Sequence, residues 1–196
     1  MLLARRPEVA ARARFWATQA RDPGIAYEHS EMGYNYRMSN VLAGIGRGQL
    51  QVLDLRVAQR RAVAFRYRDA FADLPGMTFM PQAEGGLHTN WLSCFLIDEA
   101  AFGCSRDGLI RFLDKAGIES RPVWKPMHLQ PLYATARHYG GAVSEDLFRR
   151  GICLPSSSSL AESEQDFVIR QVRLAGERRF SRQLTAPGQQ LMEIRL

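Results

Sequence analysis

The longest hydrophobic pattern in the chain starts after Ser39 and runs to about Ala72. Apolar side chains recur there at spacings of three, four and their multiples, and no proline interrupts them. This periodicity predicts one helix over residues 39–72, about 50 Å long at about 1.5 Å per residue. Ser39 suits its N-cap, because the hydroxyl can accept hydrogen bonds from the free amides of the first turn. The apolar positions are Leu42, Leu50, Leu53, Val57, Ala64 and Phe71.

Three glycines lie inside this predicted helix. Gly44, Gly46 and Gly48 each cost roughly 1 kcal/mol relative to alanine. We expect a second helix or chain to approach closely along the face of Gly44 and Gly48, which would offset that cost. The stretch AGIGRG does not fit a phosphate-binding loop, since no strand precedes it and its glycine spacing is different.

The segment before the helix is less regular. Residues 7–21 have an amphipathic pattern that predicts a helix, and Asp22-Pro23-Gly24 supplies a strong stop signal. The apolar run at residues 1–3 breaks at Arg5-Arg6-Pro7, as at the end of a strand. We expect the chain to begin in mid-fold and residues 1–38 to be partly disordered, because their packing partners would be missing.

After residue 74 the pattern alternates between short strands and helices. It predicts strands at residues 77–80, 89–97, 118–122 and 152–154, and helices at residues 105–116, 144–150 and 162–174. Such a pattern is typical of a small α+β domain, here over residues 73–174. Residues 175–196 are polar and weakly periodic, which favours a disordered tail over an interaction arm.

Composition and charge narrow the function classes. The 196 residues are 46% hydrophobic and 23% charged, as in ordinary soluble proteins. The net charge of +6 comes almost wholly from arginine, since Lys115 and Lys125 are the only lysines, and it is spread along the chain. A dispersed charge does not favour a nucleic-acid-binding protein.

Cysteines and apolar runs point to a soluble cytoplasmic protein. Cys94, Cys104 and Cys153 are odd in number and widely spaced, which favours neither a disulfide framework nor a metal site. No apolar run reaches the roughly 20 residues that span a bilayer, so no membrane association is predicted.

A first candidate binding segment is GYNYRMSN at residues 33–40. Free amides at a helix N-terminus attract anions, and Arg37 could add a bidentate contact to a phosphate or carboxylate. The alternative is structural: Tyr34 and Tyr36 would be core residues, Arg37 would pair with Glu28 or Glu31, and Asn35 would be a turn residue.

A second candidate segment is SRPVWKPMHLQP at residues 120–131. Its prolines stiffen a loop that carries two cations, an imidazole and an indole, which suits an anionic and partly flat ligand such as a nucleotide sugar. The alternative is that Trp124 is buried, Lys125 is solvated and His128 caps the next turn.

The sequence resembles the DegT/DnrJ/StrS aminotransferases, in particular the branch that makes 4-amino-4,6-dideoxy sugars on nucleotide carriers. The resemblance rests on three motifs in the expected order and extends to about residue 174. They are GYNYRMSN at residues 33–40, RPVWKPMHLQP at residues 121–131 and VSEDLFRRGICLPSSSSLAESEQDFVI at residues 143–169.

This resemblance implies the C-terminal part of an α/β fold, the fold type I of pyridoxal-phosphate-dependent transferases. Residues 1–38 would be the end of the large cofactor-binding domain, residues 39–72 the connecting helix and residues 73–174 the small C-terminal domain. The implied protein is a homodimer with active sites at the subunit interface, or a chain completed by a complementary N-terminal half.

The resemblance also implies site residues. Asn35 would reach the phosphate of the partner subunit's pyridoxal 5'-phosphate, with Arg37 beside it. Substrate-binding residues would be Tyr36, Arg121, Trp124, Lys125, Met127 and His128. The implied reaction transfers an amino group, usually from L-glutamate, to C4 of a nucleotide-linked 4-keto-6-deoxy sugar.

The lysine that holds the cofactor in this family has no counterpart in the sequence. Covalent catalysis needs a lysine held against the cofactor and partly deprotonated. Lys115 falls at the end of a predicted surface helix and Lys125 in the small-domain loop, so neither fits this role. We therefore expect no covalently bound cofactor and no catalytic residue in this chain, and no activity when it is alone. Two other classes stay open. One is a non-catalytic interaction or dimerisation module that docks on a full-length relative through the long helix, with an exposed apolar stripe from Leu42 to Phe71; the other is a salt-sensitive nucleic-acid binder.

Overall fold

A computed structural model describes the backbone of residues 2–183 and the side chains through residue 177. The chain divides into two compact units, residues 1–53 and residues 54–196. Each unit is described by itself.

The first unit contains two helices, α1 (Pro7–Ala17) and α2 (Asn40–Gln51). Between them the chain returns to the end of α1 and forms an antiparallel bridge between Thr18 and Asn35. Backbone hydrogen bonds from Tyr34 to the carbonyl of Trp16 and from Tyr36 to that of Ala17 hold this return. The partial disorder expected before residue 39 is therefore wrong for the described residues.

The helix predicted over residues 39–72 is two helices. α2 ends at Gln51, and α3 (Leu53–Ala70) follows after one residue, Val52, whose φ of −110° and ψ of 9° depart from helical values. A β-branched side chain restricts rotamers in a helix, and Val52 follows a glycine-rich helix of low propensity. The predicted N-cap is confirmed, since the Ser39 hydroxyl accepts a hydrogen bond from the Leu42 amide.

The second unit is built from four strands and five helices within the described residues. The strands are β1 (Met77–Phe79), β2 (Ser93–Ile97), β3 (Arg121–Pro122) and β4 (Gly151–Leu154). The remaining helices are α4 (Glu99–Phe102), α5 (Arg106–Lys115), α6 (Ala142–Arg150) and α7 (Glu162–Gln183). Two short 3-10 helices, Met127–Leu129 and Pro131–Tyr133, lie between β3 and α6.

The strands form one antiparallel sheet in the order β1-β2-β4-β3. Predicted strands are present, but β2 is shorter than expected. Asn90 has a φ of 51°, in the left-handed region, so extended backbone cannot continue through residues 89–92. β3 covers two residues and includes Pro122, which has no amide to donate to a strand partner.

The core lies on one face of this sheet. Phe95 and Ile152 are register partners on β2 and β4, and both are buried. Side chains from α3, from the turn that follows it, and from α5 and α7 belong to the same buried cluster, namely Val63, Tyr67, Phe71, Leu109, Leu113, Val168 and Val172. Ala64 and Phe71 are therefore buried, whereas Leu42, Leu50 and Leu53 are exposed, so the apolar stripe expected from Leu42 to Phe71 is exposed only in its first half.

The opposite face of the sheet lies against α6. Gly151 begins β4 directly after this helix, and a Cβ on Gly151 would come within 2.4 Å of the Leu147 carbonyl oxygen. Only glycine permits this close approach without displacing the backbone. The guanidinium of the buried Arg106 donates to the Phe148 carbonyl at 2.9 Å and so satisfies a carbonyl in the last turn of α6.

The last helix is longer than the sequence predicted. α7 continues to Gln183, so residues 175–183 are helical and not a disordered tail. The rest of that predicted tail lies outside the described residues. Among the described residues no helix is both long enough and apolar enough to cross a bilayer.

Candidate functional site

The first candidate segment presents its polar and aromatic side chains to solvent. Tyr34 and Tyr36 stack with ring centroids 5.4 Å apart, and they are 49% and 78% exposed. They alternate with Asn35, whose backbone bridges to Thr18 in an extended conformation. The structural alternative, in which both tyrosines are core residues and Asn35 is a turn residue, is therefore wrong.

Of the two acidic residues proposed as partners of Arg37, Glu31 is engaged elsewhere and Glu28 does not pair with it. Glu31 accepts from the Arg12 guanidinium at 2.6 Å and from the Trp16 indole at 2.9 Å. Arg37 is exposed, and no described residue forms a hydrogen bond or ion pair with its guanidinium. An exposed guanidinium and the amide of Asn35 thus stand on the segment that leads into the N-terminus of α2. Amide and guanidinium donors at such a position fit a phosphate group.

The second unit contains a cavity of about 1230 Å³ beside β3 and β4. Its walls come from the segment through β3, from the residues after β4 and from the first turns of α7. The lining includes Trp91, Arg121, Trp124, Lys125, Phe148, Cys153, Ser157, Leu160 and Phe167. Small-molecule sites usually have volumes of about 300–1,000 Å³, so this cavity is large enough for such a ligand.

Two tryptophans stack beside this cavity. The rings of Trp91 and Trp124 have centroids 5.8 Å apart and an interplanar angle of 29°. They are 60% and 67% exposed, so the alternative that Trp124 is buried is wrong. Large aromatic faces left open to solvent at a cavity can stack on a flat ring of a ligand.

The cationic groups lie on the same segment. Arg121 donates from Nε to Glu119 Oε1 at 2.7 Å, which neutralises part of its charge. Lys125 is exposed, and no described residue pairs with its ammonium group. The cavity therefore combines apolar walls with two cations, Arg121 and Lys125, and two carboxylates, Glu119 and Glu164. Because Glu119 pairs with Arg121, Lys125 is the cation left to contact an anionic group of a ligand that also has a flat ring.

Met127 and His128 point elsewhere. Both lie on the first 3-10 helix and neither lines the cavity. The His128 ring bonds to Glu145 Oε1 at 2.9 Å and stacks on His138 with centroids 4.7 Å apart. Of the five residues predicted on this loop, the structure thus brings Arg121, Trp124 and Lys125 together at the cavity; it places His128 against α6 and leaves Met127 exposed.

Trp91 and the serine segment after β4 were not predicted from the sequence. Ser156 is buried, accepts a hydrogen bond from the Ser93 amide at 2.8 Å and donates to the Leu154 carbonyl at 2.6 Å. It fixes the chain where it leaves β4 and turns toward α7. A signal for Trp91 existed, since this large aromatic residue stands two positions before the buried strand β2. Its stacking partner, Trp124, is far away in sequence.

The fold defines the class of protein. An antiparallel sheet of four short strands carries α3, α5 and α7 on one face, and solved structures of the same fold are pyridoxal-phosphate-dependent sugar aminotransferases of fold type I, of which the chain covers part. Residues 1–173 match the sequence pattern of the DegT/DnrJ/EryC1/StrS aminotransferase family, so the chain belongs to that family.

Named relatives support this membership. EpsN of Bacillus subtilis, whose name assigns it provisionally to the pyridoxal phosphate-dependent aminotransferases, is 46% identical over 86% of this chain and 44% of its own length. GDP-perosamine synthase of Caulobacter vibrioides is 36% identical over 83% of this chain and 44% of its own length.

A solved structure agrees in fold. DesV of S. venezuelae, determined in complex with a ketimine intermediate, is 28% identical and superposes with a TM-score of 0.71. The match covers 88% of this chain and 45% of DesV. The chain thus spans less than half the length of each of these three relatives.

Proposed function

We propose that this chain forms the substrate-binding part of a pyridoxal-phosphate-dependent aminotransferase that acts on a nucleotide-linked 4-keto-6-deoxy sugar, with L-glutamate as amino donor. Family membership supports the reaction type. The name of the relative from Caulobacter vibrioides, a synthase of the nucleotide-linked amino sugar GDP-perosamine, supports the substrate class.

The observation that carries the proposal is the cavity with Trp124 and Lys125 at its rim. A nucleotide sugar has a flat base, a diphosphate and a polar ring. In our proposal Trp124 stacks on the base, while Lys125 and Arg121 contact the diphosphate. Tyr36, Met127 and His128 remain proposed substrate contacts, although the last two do not line this cavity.

The residues of the first segment fit the cofactor phosphate. Asn35 and Arg37 offer an amide and a guanidinium that no described residue satisfies, close in sequence to the N-terminus of α2. We assign to them the phosphate of pyridoxal 5'-phosphate. When bound, this cofactor supplies the electron sink that amino-group transfer requires.

Neither lysine of the chain is proposed to carry the cofactor. Lys115 is exposed in the last turn of α5, and Lys125 is exposed at the cavity rim. A lysine that forms a Schiff base is held against the cofactor by its surroundings, whereas both of these side chains are open to solvent.

Borohydride reduction tests this assignment. The protein is loaded with pyridoxal 5'-phosphate, reduced and mapped by mass spectrometry. A label on Lys125, stoichiometric and abolished by Lys125→Arg, would overturn the assignment of this lysine to substrate. Absence of a label from both lysines, together with binding of a nucleotide sugar, is the expected result.

A second candidate function, a dimerisation module, rests on α2. The described residues bury none of its side chains, and Val41, Leu42, Ile45 and Leu50 are all more than half exposed. A Cβ on Gly44, Gly46 or Gly48 would meet no described atom within 4 Å. We propose that a second copy of this chain covers this helix, and sedimentation velocity at increasing concentration tests it. Persistence of a monomer at high micromolar concentration would contradict a homodimer.

A further inference from the structure

Two cysteines lie directly opposite each other on neighbouring strands. Cys94 on β2 and Cys153 on β4 are register partners, and their sulfur atoms are 3.6 Å apart. Residues on a strand alternate between faces, so this pair lies on the sheet face opposite to Phe95 and Ile152. Neither the family assignment nor the proposed reaction gives this pair a role.

The backbone is already placed for a covalent bond between the two sulfurs. Residues directly opposite in an antiparallel pair have Cα atoms about 4.5–5.5 Å apart. This spacing lies within the range of about 4.4–6.8 Å found in disulfides. Rotation of the two side chains therefore closes the sulfur–sulfur gap, and no strand has to move.

The cavity gives a reagent access to one of the two sulfurs. Cys153 lines the cavity together with Arg121 and Lys125; it is 7% exposed, less than Cys94, which does not line the cavity. Arg121 is also its register partner on β3. The thiol of Cys94 bonds to that of Cys153, which lowers the pKa of Cys153 and, together with burial, raises that of Cys94. Cys153 is thus the thiolate that attacks first, beside cations that attract an anionic reagent.

We propose that Cys94 and Cys153 form a reversible oxidation site whose oxidant is a small anionic disulfide. The Cys153 thiolate attacks one sulfur of the reagent, forms a mixed disulfide and releases one reagent thiolate. Cys94 then loses its proton to solvent and attacks the Cys153 sulfur, which releases the second reagent thiolate. Two electrons pass from the protein thiols to the reagent, which leaves as two thiols, and a dithiol reductant reverses both steps.

Cys104 provides an internal control. It lies between α4 and α5, is half-buried and has its pKa raised by burial. It does not line the cavity, and it is not part of the hydrogen-bonded pair of Cys94 and Cys153. It therefore lacks the partner sulfur that the proposal requires.

The experiment treats the protein with oxidised glutathione, blocks remaining thiols and maps tryptic peptides. The Cys104→Ser variant leaves one cysteine in each relevant peptide, residues 69–106 and residues 151–170. The expected result is a cross-link between these peptides, two equivalents of glutathione released per cross-link, and full reversal by dithiothreitol. In Cys94→Ser the reaction stops at a glutathione adduct on Cys153, because no second thiol displaces it.

Two results would overturn the proposal. One is an adduct on Cys153 that persists in Cys104→Ser, since this would mean that Cys94 cannot reach the mixed disulfide. The other is preferential labelling of Cys104 in the wild-type protein with Cys94 and Cys153 unreacted. Peptide mapping of the wild-type protein needs no substitution, so its result can be interpreted even where a serine variant folds poorly.

Discussion

Trp91 and Trp124 stack with ring centroids 5.8 Å apart, one just before β2 and the other just after β3. Their strands are not neighbours, because β4 lies between them in the sheet. The contact therefore closes one side of the cavity across the width of a strand. It brings Trp91, which belongs to no motif recognised in the sequence, against the loop that carries Arg121 and Lys125.

Replacement of Trp124 tests the stacking role. Base stacking on an aromatic side chain is worth about 1–3 kcal/mol, so Trp124→Ala is expected to weaken nucleotide-sugar binding by about fivefold or more. Trp124→Phe keeps a ring and should retain most of the affinity. Calorimetric titration measures both. Equal affinities for the alanine variant and the wild-type protein would remove Trp124 from the site.

Lys125 offers a test of charge with a matched control. Lys125→Ala should weaken diphosphate binding several-fold at low ionic strength, and added salt should reduce the difference because it screens an exposed charge. Lys115→Ala removes the same charge from the end of α5, away from the cavity, and should leave affinity unchanged. Similar losses in the two variants would indicate a general charge effect and contradict a local contact.

Alanine substitutions at the glycines of α2 distinguish an uncovered helix from one that packs against a second copy of the chain. At about 3.6 residues per turn, Gly44 and Gly48 share one face and Gly46 lies opposite. If nothing covers α2, each alanine substitution should stabilise the helix by up to about 1 kcal/mol. If a second copy approaches along Gly44 and Gly48, Gly48→Ala should weaken the dimer while Gly46→Ala does not. Sedimentation and thermal unfolding distinguish these outcomes; a dimer weakened only by Gly46→Ala would contradict the assigned face.

A salt bridge between the turn that follows α3 and helix α7 predicts a pH dependence of stability. Arg173 makes two hydrogen bonds of 2.8 Å to Asp73, and these lower the pKa of that carboxyl to about 2. An aspartate in the unfolded chain has a pKa of about 3.9. The contribution is therefore fully present above about pH 5 and is lost as the pH falls toward 2.

The corresponding measurement is the thermal midpoint of Asp73→Asn relative to wild type across this range. The variant should be less stable at neutral pH, by a small amount since Asp73 is exposed, and the difference should vanish at acid pH. Asp69→Asn is the control, because Asp69 pairs with the adjacent Arg68 and joins no two elements. A difference that grows as the pH falls would have the wrong sign.

Local signals predicted most of the elements and few of their contacts. Ser39 and Ser105 marked helix starts, and both hydroxyls cap the first turn as expected. β2 begins only at Ser93 because the backbone of Asn90 is left-handed, and hydrophobic periodicity does not reveal such a conformation. The break at Val52 was equally hidden, since the apolar spacing continues across it.

The candidate site was predicted only where its residues are close to each other in the sequence. Arg121, Trp124 and Lys125 are close in sequence, so a motif could identify them together. Trp91 and Cys153 reach the cavity only through the register of β2, β4 and β3, which no local pattern encodes. His128 was expected beside Trp124, but its ring is held by Glu145 and His138 from a later segment.

The most direct test of the account uses tryptophan fluorescence. The protein has three tryptophans, and Trp16→Phe leaves only Trp91 and Trp124, which both line the cavity. Titration of this variant with a nucleotide-linked 6-deoxy sugar should give saturable quenching, with a dissociation constant that matches calorimetry. Calorimetric binding with no change in the emission of these two residues would place the nucleotide sugar elsewhere and contradict the proposed site.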